Sequence, residues 1–365
     1  MFLHNRCCCK RPSRPRRLRV EALEDRRLLA VLTVQNNLDG SLANLAGDGE
    51  LSLREAIEIA NHPGTTIDGF TSNDVDDRIE FASSLSGQTI TLDGTELSLT
   101  ESVNIDASGL ADRLTIDADQ QSRIFSIDTA DGDYAIRSVE MTGGRTTGSS
   151  SVFTGIQNGG GAIRFRTGGT LTISDSKVYG NMVEGGSSHG GGIFAEGGKL
   201  RIERSEVSGN ISLRGSGGGI YSGGLEQTQQ GIVFTGALEV EQSTISGNLV
   251  HRPTENTAGG GVFTRGTLLV KSSTISGNRS NGRFGSGGIH ASGTVSVDGT
   301  TITDNHATSS YFQARGGGIA GNGPFVIRGS IIANNTAQVG ANDIQTNAPD
   351  ITFSLIGDTT LSLIH

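Results

Sequence analysis

Residues 259–278 read GGGVFTRGTLLVKSSTISGN, and the pattern returns down the second half of the chain. Aligned on the final Asn, six copies end at Asn181, Asn210, Asn248, Asn278, Asn305 and Asn335. Each opens on a glycine run and one aliphatic residue: Ile163, Ile193, Ile220, Val262, Ile289 and Ile319. Ten and eight residues before the Asn stand two apolar residues: Leu171/Ile173, Leu200/Ile202, Leu238/Val240, Leu268/Val270, Val295/Val297 and Phe325/Ile327. Three residues before it stands a third apolar site: Val178, Val207, Ile245, Ile275, Ile302 and Ile332. Constant offsets over six copies make this a true repeat.

Two-residue spacing inside each apolar piece is strand periodicity, and no piece is long enough for a helix. One copy cannot bury its own apolar residues, but stacked copies can. Three short strands per turn of roughly 30 residues describe a parallel β-helix, with matching aliphatics stacked at about 4.8 Å. Glycine supplies positive-φ corners. The repeated Asn suits a left-handed corner and an amide ladder between coils. Asn181, Asn210, Asn248, Asn278, Asn305 and Asn335 are therefore read as structural rather than as a site. Earlier pairs extend the pattern upstream: Ile79/Phe81, Ile90/Leu92, Leu97/Leu99, Val103/Ile105 and Leu114/Ile116. Tyr134, Ile136 and Met141 keep the offsets, with Gly144 in place of the Asn. About nine coils and a rod roughly 45 Å long are expected.

The 365 residues include 55 Gly and no Trp, and 34% are hydrophobic, which suits a solenoid better than a globule. The charge is unevenly split. Residues 1–30 hold nine Lys/Arg against three Asp/Glu, leaving the rest at −15 of the total −9. An acidic body argues against a nucleic-acid partner. No apolar run approaches the ~18 residues of a membrane span. Cys7, Cys8 and Cys9 are adjacent, a poor spacing for a tetrahedral metal site.

Ahead of the coils, residues 51–62 carry one helix. Ser52 is its N-cap and Glu55 completes a capping box. Leu53, Ala56, Ile57 and Ala60 share one apolar face, and Pro63-Gly64 stop it. Such a helix suits the open first coil, because an uncovered strand edge invites aggregation. The organisation expected is a basic leader over 1–30, a strand and capping helix over 31–62, irregular first coils over 63–144, regular repeats over 145–357 and a tail over 358–365.

Two stretches resemble known families. LEDRRLLA at 23–30 resembles the N-terminal motif of planctomycete extracellular proteins, which implies export and removal of the leader. LSLREAI at 51–57 resembles the CSLREAI motif, with Leu51 in place of its Cys. That motif heads bacterial secreted β-helix proteins related to the chlamydial polymorphic outer membrane proteins. Residues 77–125 and SIIANNTAQVGANDI at 330–344 extend the likeness. The fold implied is all-β, a right-handed parallel β-helix of the pectin-lyase-like kind with a short N-terminal capping α-helix. The localisation implied is extracellular or cell-surface, with a structural or adhesive role and polysaccharide or cell-envelope partners. Relatives usually continue beyond the point matching His365 into a segment ending near a Pro-Ala-Ile-Asp block and sometimes an anchor, so the resemblance leaves anchoring from this C-terminus open.

If the protein binds anything, the variable segments after each Asn should carry it, since loops on one edge of a solenoid form its binding face. These are 145–158, 182–189, 211–216, 249–258, 279–286 and 306–315. They hold Arg145, Arg214, Arg252, Arg279, Arg283 and Arg315 against Glu184 and Glu255, with the aromatics Phe153, Phe284, Tyr311 and Phe312. Guanidinium forks bind carboxylate or sulfate, so an anionic-glycan edge is expected. A further insertion, 222–236, falls on another corner.

The same fold hosts pectate lyases and polygalacturonases, which leaves a lyase or hydrolase as the alternative. Asp175, Asp298 and Asp304 fall at different offsets and are not expected to converge on a hydrolase pair. Ser188-His189-Gly190 resembles the Gly-His-Gly of polygalacturonases, without its paired aspartates. His189, His251, His290 and His306 lack ligand spacing and read as exposed loop or rung residues. Asp106, Asp112, Asp117, Asp119, Asp128, Asp131 and Asp133 form the one stretch suited to calcium. No catalytic residue, other cofactor or oligomer is expected.

Overall fold

The structure, a computed structural model, describes residues 31–72, 76–148, 158–186, 188–228, 231–252, 256–308, 316–346 and 349–357. It is a parallel β-helix. In the coil that contains Asn210, the chain passes through Ile193–Glu196, Lys199–Glu203, Glu206–Ser208 and Ile211–Ser212. These belong to four sheets, named first to fourth in that order, which hold 9, 11, 10 and 7 strands among the described residues. Ten strand spacings in the second sheet make the stack roughly 48 Å long.

The spacing predicts three strands per turn, and the fourth sheet corrects this. Its strands are two residues long and begin at the residue after each Asn: Met182–Val183, Ile211–Ser212, Leu249–Val250. Two residues are too few for periodicity to register.

Register is the same from coil to coil. Leu171 pairs with Leu200, Leu200 with Leu238, Leu238 with Leu268, Leu268 with Val295 and Val295 with Phe325. All six side chains are buried, as are the third-sheet aliphatics Val178, Val207, Ile245, Ile275, Ile302 and Ile332. Burying each such side chain contributes about 1.5–3 kcal/mol, so every added coil supports its neighbours.

The helix spans Leu53–Asn61, with both halves of the Ser52–Glu55 capping box made. Leu53, Ala56, Ile57, Ile59 and Ala60 are buried on its inner face. It packs against the strands Val31–Val34, Asp76–Phe81 and Leu97–Leu99, closing that end of the stack. Arg54 pins it with a bidentate bond to Asp39, at 2.7 and 2.8 Å. A four-residue helix, Leu42–Leu45, precedes it and carries no clear signal in the sequence. The insertion at 222–236 forms an antiparallel hairpin, Gly224–Thr228 with Gly231–Thr235.

The corners also correct an expectation. The repeated Asn residues are not left-handed. The residue before each one is: Gly180, Gly209, Gly247, Gly277, Asp304 and Asn334 have φ of 66, 61, 63, 64, 56 and 60°. A second left-handed corner lies six residues before the Asn, at Asp175, Arg204, Gln242, Ser272, Gly299 and Gly329. Four of those six are not glycine, at a cost of roughly 1 kcal/mol or more each. The glycine runs serve a different purpose from the middle residue onward. A Cβ on Gly218 would lie 2.3 Å from the Gly260 carbonyl oxygen, and one on Gly191 2.2 Å from that of Gly218. Backbones of adjacent coils touch there, so only glycine fits.

With the corner taken by its neighbour, each Asn turns inward. The Asn248 Oδ1 accepts from the Asn210 amide (3.0 Å) and from Asn210 Nδ2 (3.0 Å). Its own Nδ2 donates to the Val207 carbonyl (2.9 Å) and to Asn278 Oδ1 (2.9 Å). The pattern repeats from Asn181 to Asn335, and all six are buried. At one end the Gly144 amide donates to Asn181 Oδ1 (2.8 Å). At the other, the buried Asp343 replaces the next Asn, accepting from the Asn335 amide (3.1 Å) and Nδ2 (2.8 Å). A second ladder, unnoticed in the sequence, lies five residues before each Asn: Ser176, Ser205, Ser243, Ser273, Thr300 and Ser330. Each hydroxyl accepts the amide of its counterpart one coil back, as in Ser205 to Ser243 at 3.0 Å and Ser243 to Ser273 at 3.1 Å. Buried turn amides are thereby satisfied without water.

Candidate binding face

The edge singled out by sequence is the outer face of the fourth sheet. Alternation buries Val183, Ser212, Val250, Ser280 and Ala307. It turns the preceding residues outward in one row: Arg145, Met182, Ile211, Leu249, Arg279, His306 and Thr336. The row is more apolar at its centre than the arginine count suggests. Arg145 and Arg279 are four strands apart, about 19 Å.

The arginines divide by environment. Arg145 donates to Glu184 at 2.9 Å and is committed to that pair. Arg214 is exposed, while Arg252 and Arg283 are half-buried. Arg279 is exposed and has no acidic partner among the described residues. With Leu249, Asn281, His306 and Thr308 it lines an open cleft of ≈ 370 Å³. There the Asn281 amide nitrogen meets His251 Nδ1 at 3.1 Å, and the buried Asn281 Oδ1 has no partner among the described residues. His306 Nδ1 meets Thr336 Oγ1 at 2.6 Å. Arg315, Tyr311 and Phe312, with Phe153 and Glu255, lie outside the described residues.

The loop aromatic Phe284 does not face solvent as a platform. It packs on a second apolar cluster of Phe194, Tyr221, Ala258 and Phe263. Three of these follow the first-sheet aliphatic in successive coils and stack outside the solenoid core. Phe194 lies on Tyr221 at 5.2 Å, Tyr221 on Phe263 at 5.3 Å, and Phe263 on His290 at 5.2 Å. His189 stacks on Tyr221 at 4.5 Å. Arg265 lies 5.9 Å from the centres of both Tyr221 and Phe263. The position after the aliphatic reads Phe, Tyr, Phe, His in four consecutive copies, a signal present in the sequence but invisible to an alignment on Gly, aliphatic and Asn positions alone.

His290 is a rung residue, as expected, on the strand Ile289–Ala291, whereas His189 is not exposed but half-buried against Tyr221, which corrects that expectation. His189 Nδ1 accepts the Ser216 amide at 2.9 Å, a bond that requires the neutral ring. Burial, with Arg265 nearby, pushes its pKa down to about 4.

Several carboxylates are held in structural contacts. Asp106 binds Arg78 at 2.9 Å and Asp133 accepts the Thr170 amide at 2.9 Å. On the first sheet, Arg166 bridges Asp128 (3.4 Å) and Glu196 (3.0 Å), and Arg164 lies 3.8 Å from both Glu96 and Asp128. Arg123 pairs with Glu96 in the same row, and burial lowers its pKa to about 10 against the pull of that carboxylate. Asp175 is held by Arg204 at 2.8 and 2.9 Å, which keeps its carboxyl below the usual range. Among the described residues no group of three or more His, Cys, Asp or Glu is arranged to hold a metal. No described helix is long and apolar enough to cross a membrane.

No known family model matches the chain, and no curated protein or solved structure matches it.

Proposed function

We propose that this chain is an exported β-helix with a structural or adhesive role, which holds an anionic glycan at the Arg279 end of its fourth sheet. The observation that carries the reading is the contrast within one outward row. Arg145 is neutralised by Glu184, whereas Arg279 stands exposed beside an open cleft and has no acidic partner among the described residues. A guanidinium there offers two parallel donors to a carboxylate or sulfate, and Leu249 offers an apolar wall to a sugar face. The basic leader and LEDRRLLA support export.

Retention on immobilised heparin tests the binding. Arg279→Ala removes one charge-assisted contact of about 1.5–3 kcal/mol, so affinity falls roughly tenfold to a hundredfold, and Arg145→Ala changes it little. Equal effects from the two substitutions, or none from either, defeat the assignment. Cell fractionation with peptide mapping tests export: a chain starting near residue 30 outside the cell is expected.

A further inference from the structure

The corner before each glycine run carries a third set of inter-coil bonds, and one member can be switched by a proton. His189, Ser216 and Ala258 occupy equivalent positions in three successive coils, each just before the first glycine of its run. The Ser216 amide donates to His189 Nδ1 (2.9 Å), and the Ala258 amide donates to Ser216 Oγ (3.2 Å). The two coils are further joined at this point by the Gly190 amide donating to the Ser216 carbonyl (3.0 Å). Of these acceptors only the imidazole nitrogen can be lost to protonation.

We propose that His189 is a proton-operated latch between coils: the neutral ring holds the Ser216 amide, and the imidazolium releases it and loosens the ring stack. On protonation Nδ1 becomes an N–H facing another N–H, so an attraction becomes a donor–donor clash. Among the described residues no carboxylate is paired with the ring to receive the new charge. Tyr221 faces the ring as its stacking partner and Arg265 adds a second cation from the coil beyond. Glu196, which acts on Tyr221, is held by Arg166 at 3.0 Å, and Glu184 on the same segment is held by Arg145 at 2.9 Å. The latch is independent of any glycan at Arg279.

Two measurements on the full chain decide it. Imidazole NMR of the unaltered protein should find His189 as the Nε2–H tautomer at neutral pH, titrating well below the ordinary histidine value of about 6.5. On crossing that titration, the Ser216 amide should lose about tenfold in exchange protection. Titration near 6.5, or unchanged Ser216 protection, overturns the proposal. The chain has four Tyr and no Trp, so tyrosine emission reports Tyr221 once assigned with Tyr221→Phe. His189→Phe keeps a stacked ring and removes the proton. The acid change in Tyr221 emission should disappear in it, and its persistence in a folded variant also overturns the latch. If that variant does not fold by circular dichroism, the NMR titration and the Ser216 exchange decide between the two outcomes.

Discussion

Replacing Asn248 by Ala asks whether the amide ladder holds the coils together or merely decorates them. The side chain takes part in four bonds. Its Oδ1 accepts from the Asn210 amide and Nδ2, both at 3.0 Å, and its Nδ2 donates to Val207 O and Asn278 Oδ1, both at 2.9 Å. Two of the partners keep other bonds: Asn210 Nδ2 still reaches the Val178 carbonyl (2.9 Å), and Asn278 Oδ1 still accepts the Asn248 amide (3.0 Å). The Asn210 amide is left without its acceptor, and the Val207 carbonyl loses its side-chain donor. Asn210 and Asn248 are both 0% exposed, so water cannot replace them without opening the corner. At about 1–3 kcal/mol for each buried group stranded, with a small cavity added, the loss is roughly 3–5 kcal/mol. Urea unfolding followed by far-UV circular dichroism, at constant slope, measures it. A loss below about 1 kcal/mol would refute the reasoning, because it would mean that the stranded groups find partners the structure does not show. Asp343→Ala strips the acceptor from Asn335 in the same way, but its effect should stay within the last coils, since a solenoid couples only neighbours.

Ser243→Ala should cost about 1–2 kcal/mol by removing the acceptor of the buried Ser205 amide, while Ser243→Thr should be mild because the Thr300 hydroxyl already accepts the Ser273 amide in that role (3.4 Å); thermal melts separate the two. Gly218→Ala should prevent coil stacking, because its Cβ would sit 2.3 Å from the Gly260 oxygen; soluble yield and circular dichroism report this. Gly209→Asn should be close to neutral by the same measures, since nothing lies within 4 Å of its Cβ and Asn334 already takes that left-handed corner. His189 contributes a pH dependence of known sign. Its folded pKa, about 4, lies below the unfolded value near 6.5, so the stability is fully present above 6.5 and is lost as pH falls through 4. The upper bound is about 3 kcal/mol, read as the acid loss of unfolding free energy in the unaltered protein beyond that in His189→Phe.

The alternation Leu-x-Val, the glycine runs and the recurring Asn were enough to derive a parallel solenoid, its strand faces and its capping helix, because each depends only on local spacing. Period two sets which side chains face inward, and Ser52 with Glu55 is a cap wherever it folds. Those same residues left other things open. The two-residue fourth strand lies below the length at which a period exists. The left-handed corner at Asp175, Arg204 and Gln242 has no glycine to announce it, since the coils above and below impose it. The charge count after each Asn marked an edge but not its chemistry. Only stacking in register places Glu184 on Arg145 and leaves Arg279 exposed, because pairing joins residues 39 apart in the chain in one case and offers no acid in the other. Tertiary structure also decides that Phe194, Tyr221, Phe263 and the two histidines form one stack. A residue outside the core becomes buried there because its counterparts in adjacent coils stand about 5 Å away.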